Sequence, residues 1–271
     1  MDRDISGINS YSSLWEITTH DIDINNNIRP TSLAKMMEET GTRQMRDRKP
    51  SYYDFFFQGK TFIVTRMSTE ILGKISVYDK VRVHTWMCPP KAATLRRCFA
   101  VEKDGILLAR SYSEWTVADM NTGKLCMAKD LDLGNYETDQ AFDMNVPVKF
   151  RHPRELDFKK VSTKEIRYSD VDMNLHMNNT GYHDMVWQYI PDIEKKEVTS
   201  SAFRFMAEGT YKTHIDIYMA KADETMDDGY GAEETWCFYT KVLDGKNEGR
   251  KNIECYVNVK NVSKGKKFKG E

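Results

Sequence analysis

Hydrophobic and polar positions alternate with a period of two in several runs of the chain, the pattern of strands with one buried face. Between Val77 and Met87, the residues Val81, Val83 and Thr85 alternate with Arg82, His84 and Trp86. Leu95–Val101 and Ile106–Val117 are two more runs, joined at Asp104-Gly105, a strong hairpin pair. Later, Ile215, Ile217 and Met219 alternate with His214, Asp216 and Tyr218. Trp236, Phe238, Thr240 and Val242 form a further set, and Ile253, Cys255, Val257 and Val259 form the last, after a turn around Asp244-Gly245-Lys246. Two stretches carry helical spacing instead. Leu33, Met36, Met37 and Thr40 recur behind Thr31 or Ser32 as N-cap. Tyr182, Met185, Val186 and Tyr189 recur behind Asn178 or Asn179, and Pro191 stops that helix.

The two halves of this pattern are copies. Shifted by 149 residues, Glu16 falls on Glu165, Ile17 on Ile166, Asp21 on Asp170, Asp23 on Asp172, Asn25 on Asn174, Thr31 on Thr180 and Met36 on Met185. Those are 7 identities in the 21 positions from 16 to 36, where average composition gives roughly one or two. Each copy reads as strand, turn, one helix, then three or more antiparallel strands, that is, a curved sheet around one helix. The charged stretch of residues 128–160, with Pro147 and Pro153, reads as the connection. The expected units are residues 8–127, the connection 128–160, and residues 161–262.

The sharpest stretch runs from Arg167 to Tyr182, RYSDVDMNLHMNNTGY. It closely resembles the D-x-D-x-N-x-H-x-N-N-x-x-Y signature of hotdog thioesterases. Together with Phe62–Met67 and the Asp79-to-Trp86 strand, the layout from Ile17 to Lys260 resembles the bacterial branch of the acyl-ACP thioesterases, similar to the plant FatA/FatB-type enzymes. That resemblance implies an α+β fold: a tandem double hotdog, each a curved antiparallel sheet wrapped round a long central helix. It implies an acyl-chain pocket in the N-terminal copy and catalysis in the C-terminal one. The implied activity is hydrolysis of the thioester of fatty acyl-acyl carrier protein in fatty acid biosynthesis, with acyl-CoA hydrolysis or a non-catalytic acyl-binding role as alternatives.

The copies differ where chemistry requires it. Asp172, Asn174 and His176 face Asp23, Asn25 and Asn27; Arg29 and Pro30 replace Asn178 and Asn179. Thioester hydrolysis needs an activated water, a polarised carbonyl and a protected thiolate. His176 can take a proton near neutral pH, Asn174 can orient water or carbonyl, and Asp172 can fix the loop or the imidazole. Asp172 and Asn174 can equally be loop and capping residues, and His176 a structural histidine. The end of Phe203–Glu208 resembles the family's strand that closes on a catalytic glutamate, which makes Glu208 a candidate general base or else an exposed strand-end carboxylate. Gly209 follows it where many plant members have cysteine, so a water mechanism is expected. The backbone N–H groups of the helix beginning near Asn178-Asn179 are a candidate oxyanion site.

Composition narrows the partners. With 40 Lys and Arg against 41 Asp and Glu, the chain offers no overall attraction to nucleic acid or membrane. No apolar run approaches the ~20 residues of a membrane span, and the polar start Met1–Gly7 carries no signal-peptide core. Five scattered cysteines without a C-x-x-C pair suit a reducing cytoplasm. No phosphate loop, nucleophile elbow or zinc spacing is present, so no cofactor and no metal are implied. The implied partner is an acyl carrier protein bearing a fatty acyl chain; the basic cluster Arg43, Arg46, Arg48 and Lys49 or the tail Lys264–Lys269 can dock it, or else they are a solvated helix end and a disordered tail; a monomer or a homodimer fits. Tyr52–Phe57 either lids the pocket or packs under the sheet.

Overall fold

The computed structural model describes residues 5 and 7–262; the basic tail from Lys264 lies outside them. The period-two runs pair into a ten-stranded antiparallel sheet, which divides evenly between the copies. The front copy supplies β1 (Tyr11–Glu16), β2 (Lys60–Ile71), β3 (Lys80–Lys91), β4 (Thr94–Lys103) and β5 (Ile106–Asp119). The rear copy supplies β6 (Lys159–Glu165), β7 (Lys196–Phe205), β8 (His214–Lys221), β9 (Glu234–Val242) and β10 (Lys251–Asn261). The spatial order β1-β3-β4-β5-β2-β7-β10-β9-β8-β6 is nearly a palindrome. Its seam is the β2–β7 pairing, Arg66 opposite Arg204 through Glu70 opposite Ser200.

The concave side of each half-sheet buries a helix. In the front copy α1 (Pro30–Arg48) packs on β3. Leu33, Met36 and Met37 join Ile17, Val81, Val83, Phe99 and Val101 in one core, each large side chain contributing on the order of 1.5–3 kcal/mol of burial. The short α2 (Tyr52–Phe57) follows. Its Phe55 is buried, while Tyr53 and Phe57 face solvent. In the rear copy α3 (Gly181–Trp187) brings Tyr182, Met185 and Val186 against Phe203, Ile215, Phe238 and Ile253.

Three expectations about the helices need correction. The N-cap of α1 is Arg29, not Thr31 or Ser32, because Pro30 occupies the first helical position with its preset φ. The N-cap of α3 is Thr180, whose N–H and hydroxyl both donate to Asn178 Oδ1 at 2.9 and 2.7 Å. Nor is α3 a long central helix: it has seven residues against nineteen in α1. It starts on a glycine, a poor helix former, and soon meets Pro191 and the left-handed Asp192.

The connection returns along the seam. The buried Glu70 carboxylate on β2 accepts Val146 N–H at 2.8 Å, Arg110 Nε at 2.6 Å and the Tyr230 hydroxyl at 2.9 Å. One satisfied buried charge therefore ties the connection and the rear copy to the front sheet.

Candidate active site

The sequence from Arg167 to Asn178 folds on its own hydrogen bonds. Asp170 receives Arg167 N–H at 2.8 Å and both of its oxygens lie 2.9 Å from Lys164 Nζ, which anchors the loop to β6. Asp172 Oδ1 accepts Asn174 N–H at 2.8 Å, and Asp172 N–H donates to His176 O at 2.9 Å. The turn is closed by Leu175 in the left-handed region, φ +60°, which costs a leucine on the order of 1 kcal/mol. The tight loop leaves Asn174 and His176 projecting from one short, rigid segment.

A second segment, 208–211, docks on that loop. Met177 N–H donates to Gly209 O at 2.8 Å, Tyr211 N–H donates to Leu175 O at 3.0 Å, and His176 bridges to Thr210. This register sets His176 Nε2 3.4 Å from Glu208 Oε2. Asn247 Nδ2 holds Glu208 O at 3.0 Å. The segment can lie this close because residue 209 is glycine: a Cβ there would be 2.6 Å from Ile166 Cδ1 and 2.9 Å from the Tyr182 hydroxyl. The structure therefore brings together all four residues singled out from the sequence, Asp172, Asn174, His176 and Glu208. His176 and Glu208 remain partly open to solvent.

The helix N-terminus differs from expectation. Of the N–H groups from Asn178 to His183, all but that of Asn179 are bonded within the protein. At most one backbone donor is left there for an oxyanion.

The front copy repeats this architecture without its chemistry. Asp23 Oδ1 accepts Asn25 N–H at 2.8 Å, Asp23 N–H donates to Asn27 O at 2.8 Å, and Asn26 takes the left-handed turn at φ +57°. Ile28 N–H donates to Ile75 O at 2.9 Å, as Met177 N–H does to Gly209 O. Ile75 thus matches Gly209, and Lys74 matches Glu208. Asn27 stands for His176 and a cation stands for the Glu208 carboxylate. A cavity of about 80 Å³ lies against this spent motif, lined by Asp23, Asn27, Lys74, Trp187 and Glu197 among others. A second, of about 10 Å³, lies between Leu33 on α1 and His183 on α3. His176 and Glu208 line neither.

The basic cluster is already neutralised. Arg43 pairs with Glu39 at 3.1 Å, Arg46 with Asp47 at 2.7 Å, Arg48 with Glu137 at 2.7 Å, and Lys49 with Asp54 at 3.4 Å. Sequence reasoning missed Lys74, which lies outside the stretch where the copies align.

Comparison with known proteins places this geometry. Residues 8–132 match the acyl-ACP thioesterase N-terminal domain and residues 154–259 the acyl-ACP thioesterase C-terminal domain. Among solved structures, the chain is similar to an acyl-ACP thioesterase from Bacteroides thetaiotaomicron, with a TM-score of 0.75, 18% identity, and coverage of 93% of this chain and 98% of that one. It is also similar to the 12:0-ACP thioesterase from Umbellularia californica, with a TM-score of 0.75, 15% identity, and coverage of 97% and 98%. No curated protein matches the chain in sequence.

Proposed function

The chain belongs to the acyl-ACP thioesterase family and hydrolyses fatty acyl-acyl carrier protein thioesters, and from that premise we propose that the reaction runs on the rear copy, at His176 and Glu208. The observation that carries this reading is the docking of segment 208–211 on the Asp172–His176 loop, with the imidazole and the carboxylate 3.4 Å apart.

Glu208, paired with His176, takes a proton from a water molecule as its oxygen attacks the thioester carbonyl carbon. Asn174 orients that water; its Nδ2 lies a long 3.5 Å from Asp172 Oδ2 and is easily surrendered. Asp172 keeps the loop closed through the Asn174 N–H. The Asn179 N–H and the His176 imidazole N–H face the oxyanion. As the carbon–sulfur bond breaks, the proton passes to the leaving thiolate, giving carrier-protein thiol and free fatty acid. Gly209 offers no nucleophile beside Glu208, which favours water as the attacking group.

The acyl chain lies in the front copy, residues 8–127, whose core contains the adaptable side chains Met36, Met37 and Met67. We place the enzyme in the cytoplasm, where its five free thiols persist. Among the described residues no helix is long and apolar enough to cross a membrane.

The test is thiol release from acyl-acyl carrier protein followed with a thiol-reactive dye. His176→Ala and Glu208→Gln each lower kcat by about 10²–10⁴-fold while melting and circular dichroism stay as in the wild type. Wild-type turnover in both variants would remove the site assignment. Acyl-CoA of matched chain length is the poorer substrate by kcat/KM.

A further inference from the structure

At three places inside the fold the two copies share their backbone but not their polarity. In the front copy Leu72 and Gly73 N–H donate to Leu108 O at 2.8 and 3.1 Å; in the rear copy Met206 and Ala207 N–H donate to Asn252 O at 2.9 and 3.2 Å. Leu108 therefore corresponds to Asn252. The next residues, Ala109 and Ile253, pair with Ile71 and Phe205, and across from them stand Val101 and Thr240. The shift of 149 residues lays Leu33 on Tyr182. In the front copy Leu33, Val101 and Leu108 pack into one apolar core.

In the rear copy the same three places hold a polar chain. The Thr240 hydroxyl donates to Asn252 Oδ1 at 3.0 Å, and Asn252 Nδ2 donates to the Tyr182 hydroxyl at 3.0 Å and to Ala207 O. All three residues are buried. Buried polar groups are unfavourable unless each is bonded, and the front copy shows that this fold closes here with two leucines and a valine. The fold therefore does not require the chain. What sets the rear copy apart is the segment the chain holds. Asn252 grips residues 206 and 207 with its backbone oxygen and its amide, immediately before Glu208. The Tyr182 hydroxyl lies so close to Gly209 that a Cβ there would be 2.9 Å from it. The front copy, with leucine in place of the tyrosine, carries Ile75 at that position.

We propose that Asn252 is a positioning residue of the hydrolytic site: with Tyr182 and Thr240 it fixes residues 206–208 so that Glu208 stands within reach of His176. The inference rests on the assignment of the base to Glu208. That side chain is exposed, so packing does little to hold it and its placement comes from the backbone behind it. The Thr240 hydroxyl fixes Oδ1 of Asn252 and so turns Nδ2 toward Ala207 O and Tyr182. A buried polar chain with its bonds made specifies one arrangement, where an apolar contact tolerates several.

The triple variant Tyr182→Phe, Thr240→Val, Asn252→Leu gives the rear copy the apolar solution of the front one. Replacing all the partners together leaves few unpaired groups, so the variant folds. With acyl-acyl carrier protein as substrate it loses about 10- to 100-fold in kcat, with KM within about twofold of wild type. In a Glu208→Gln background the same three changes cost no more than about twofold further, because they act through that carboxylate. Thr240→Val alone loses about threefold or more in kcat, whereas Thr240→Ser, which keeps the hydroxyl, retains roughly half or more; this pair decides alone should the triple variant not fold. Wild-type kcat in a folded triple variant overturns the proposal. So does an undiminished further loss in the Glu208→Gln background, or a Thr240→Val variant no slower than Thr240→Ser. Glu208→Gln measured by itself tells the two readings apart. If it is dead while the triple variant is fully active, only the role of Asn252 falls. If it is fully active, the assignment of the base falls.

Discussion

Substituting alanine at Gly209 tests whether the close approach of segment 208–211 to the motif loop is what makes the site. The added Cβ would meet Ile166 Cδ1 at 2.6 Å and the Tyr182 hydroxyl at 2.9 Å, where contact distances are about 3.5–4.0 Å. Neither neighbour yields readily. Tyr182 is buried and its hydroxyl accepts from Asn252 Nδ2 at 3.0 Å; Ile166 is fully buried and its N–H is bonded to Thr213 O at 2.8 Å. Overpacking of this kind costs about 1–3 kcal/mol, a fall in melting temperature of roughly 3–10 °C for a chain of this size. The relief available is a shift of the segment away from α3 by up to about 1 Å, and that movement carries Glu208 with it. A displacement of that size at reacting groups costs on the order of 10–100-fold in kcat. Thiol-release kinetics and thermal melting read both effects. Ile166→Val deletes the methyl group that clashes, so in the Gly209→Ala background it restores part of the lost kcat, although alone it costs about 0.5–1.5 kcal/mol. Wild-type kcat and an unshifted melting temperature in Gly209→Ala would refute the reasoning, as would a loss of activity that Ile166→Val leaves untouched.

Other consequences concern stability. Glu70→Ala leaves Arg110 buried, with the Val146 N–H and the Tyr230 hydroxyl losing a shared acceptor; it costs about 3–5 kcal/mol in chemical denaturation, and a loss under about 1 kcal/mol contradicts the seam's role. His183 is buried on α3 beside Phe203, and burial pushes its pKa down to about 4. Between pH 6.5 and 4 the unfolded chain takes up a proton that the folded chain refuses, so this contribution is whole above pH 6.5 and falls by about 3 kcal/mol toward pH 4. His183→Gln flattens that part of the stability–pH curve, and an unchanged slope would show that another group carries it.

What the sequence made legible followed from period and repetition. The alternating runs marked six strands or parts of them, because each buries one face and exposes the other. β2 and β7 were reached only through resemblance, since at the seam Ser68 and Thr69 are buried alongside Met67, and Ser200 and Ser201 alongside Ala202, so polarity no longer marks the outer face. The caps of α1 and α3 were misplaced by one to three residues because Pro30 and Asn178 each set the backbone without being the cap. The four candidate residues stood out in the sequence as a motif plus a local match. Their meeting depends on long-range bonds from segment 208–211 that no local pattern encodes.

The asymmetry between the copies bears on what fusion allows that the pairing of identical copies does not. Two rear copies paired about a true twofold would place Trp187 over each Asp172–His176 loop, since Trp187 is what α3 presents to its partner. An indole there supplies bulk and a single donor, already given to Asp184 Oδ1 at 3.0 Å, and no carboxyl. Fusion lets α1 diverge from α3, nineteen residues against seven, so the two loops need not meet the same side chain. It also frees the front loop to change: with Asn27 and Lys74 where His176 and Glu208 stand in the rear copy, a water there meets no imidazole and faces a cation. Reversal of charge at that one place disables the front loop more thoroughly than loss of the imidazole alone, because a nearby ammonium opposes the proton transfer that a remaining Asp23 could otherwise accept.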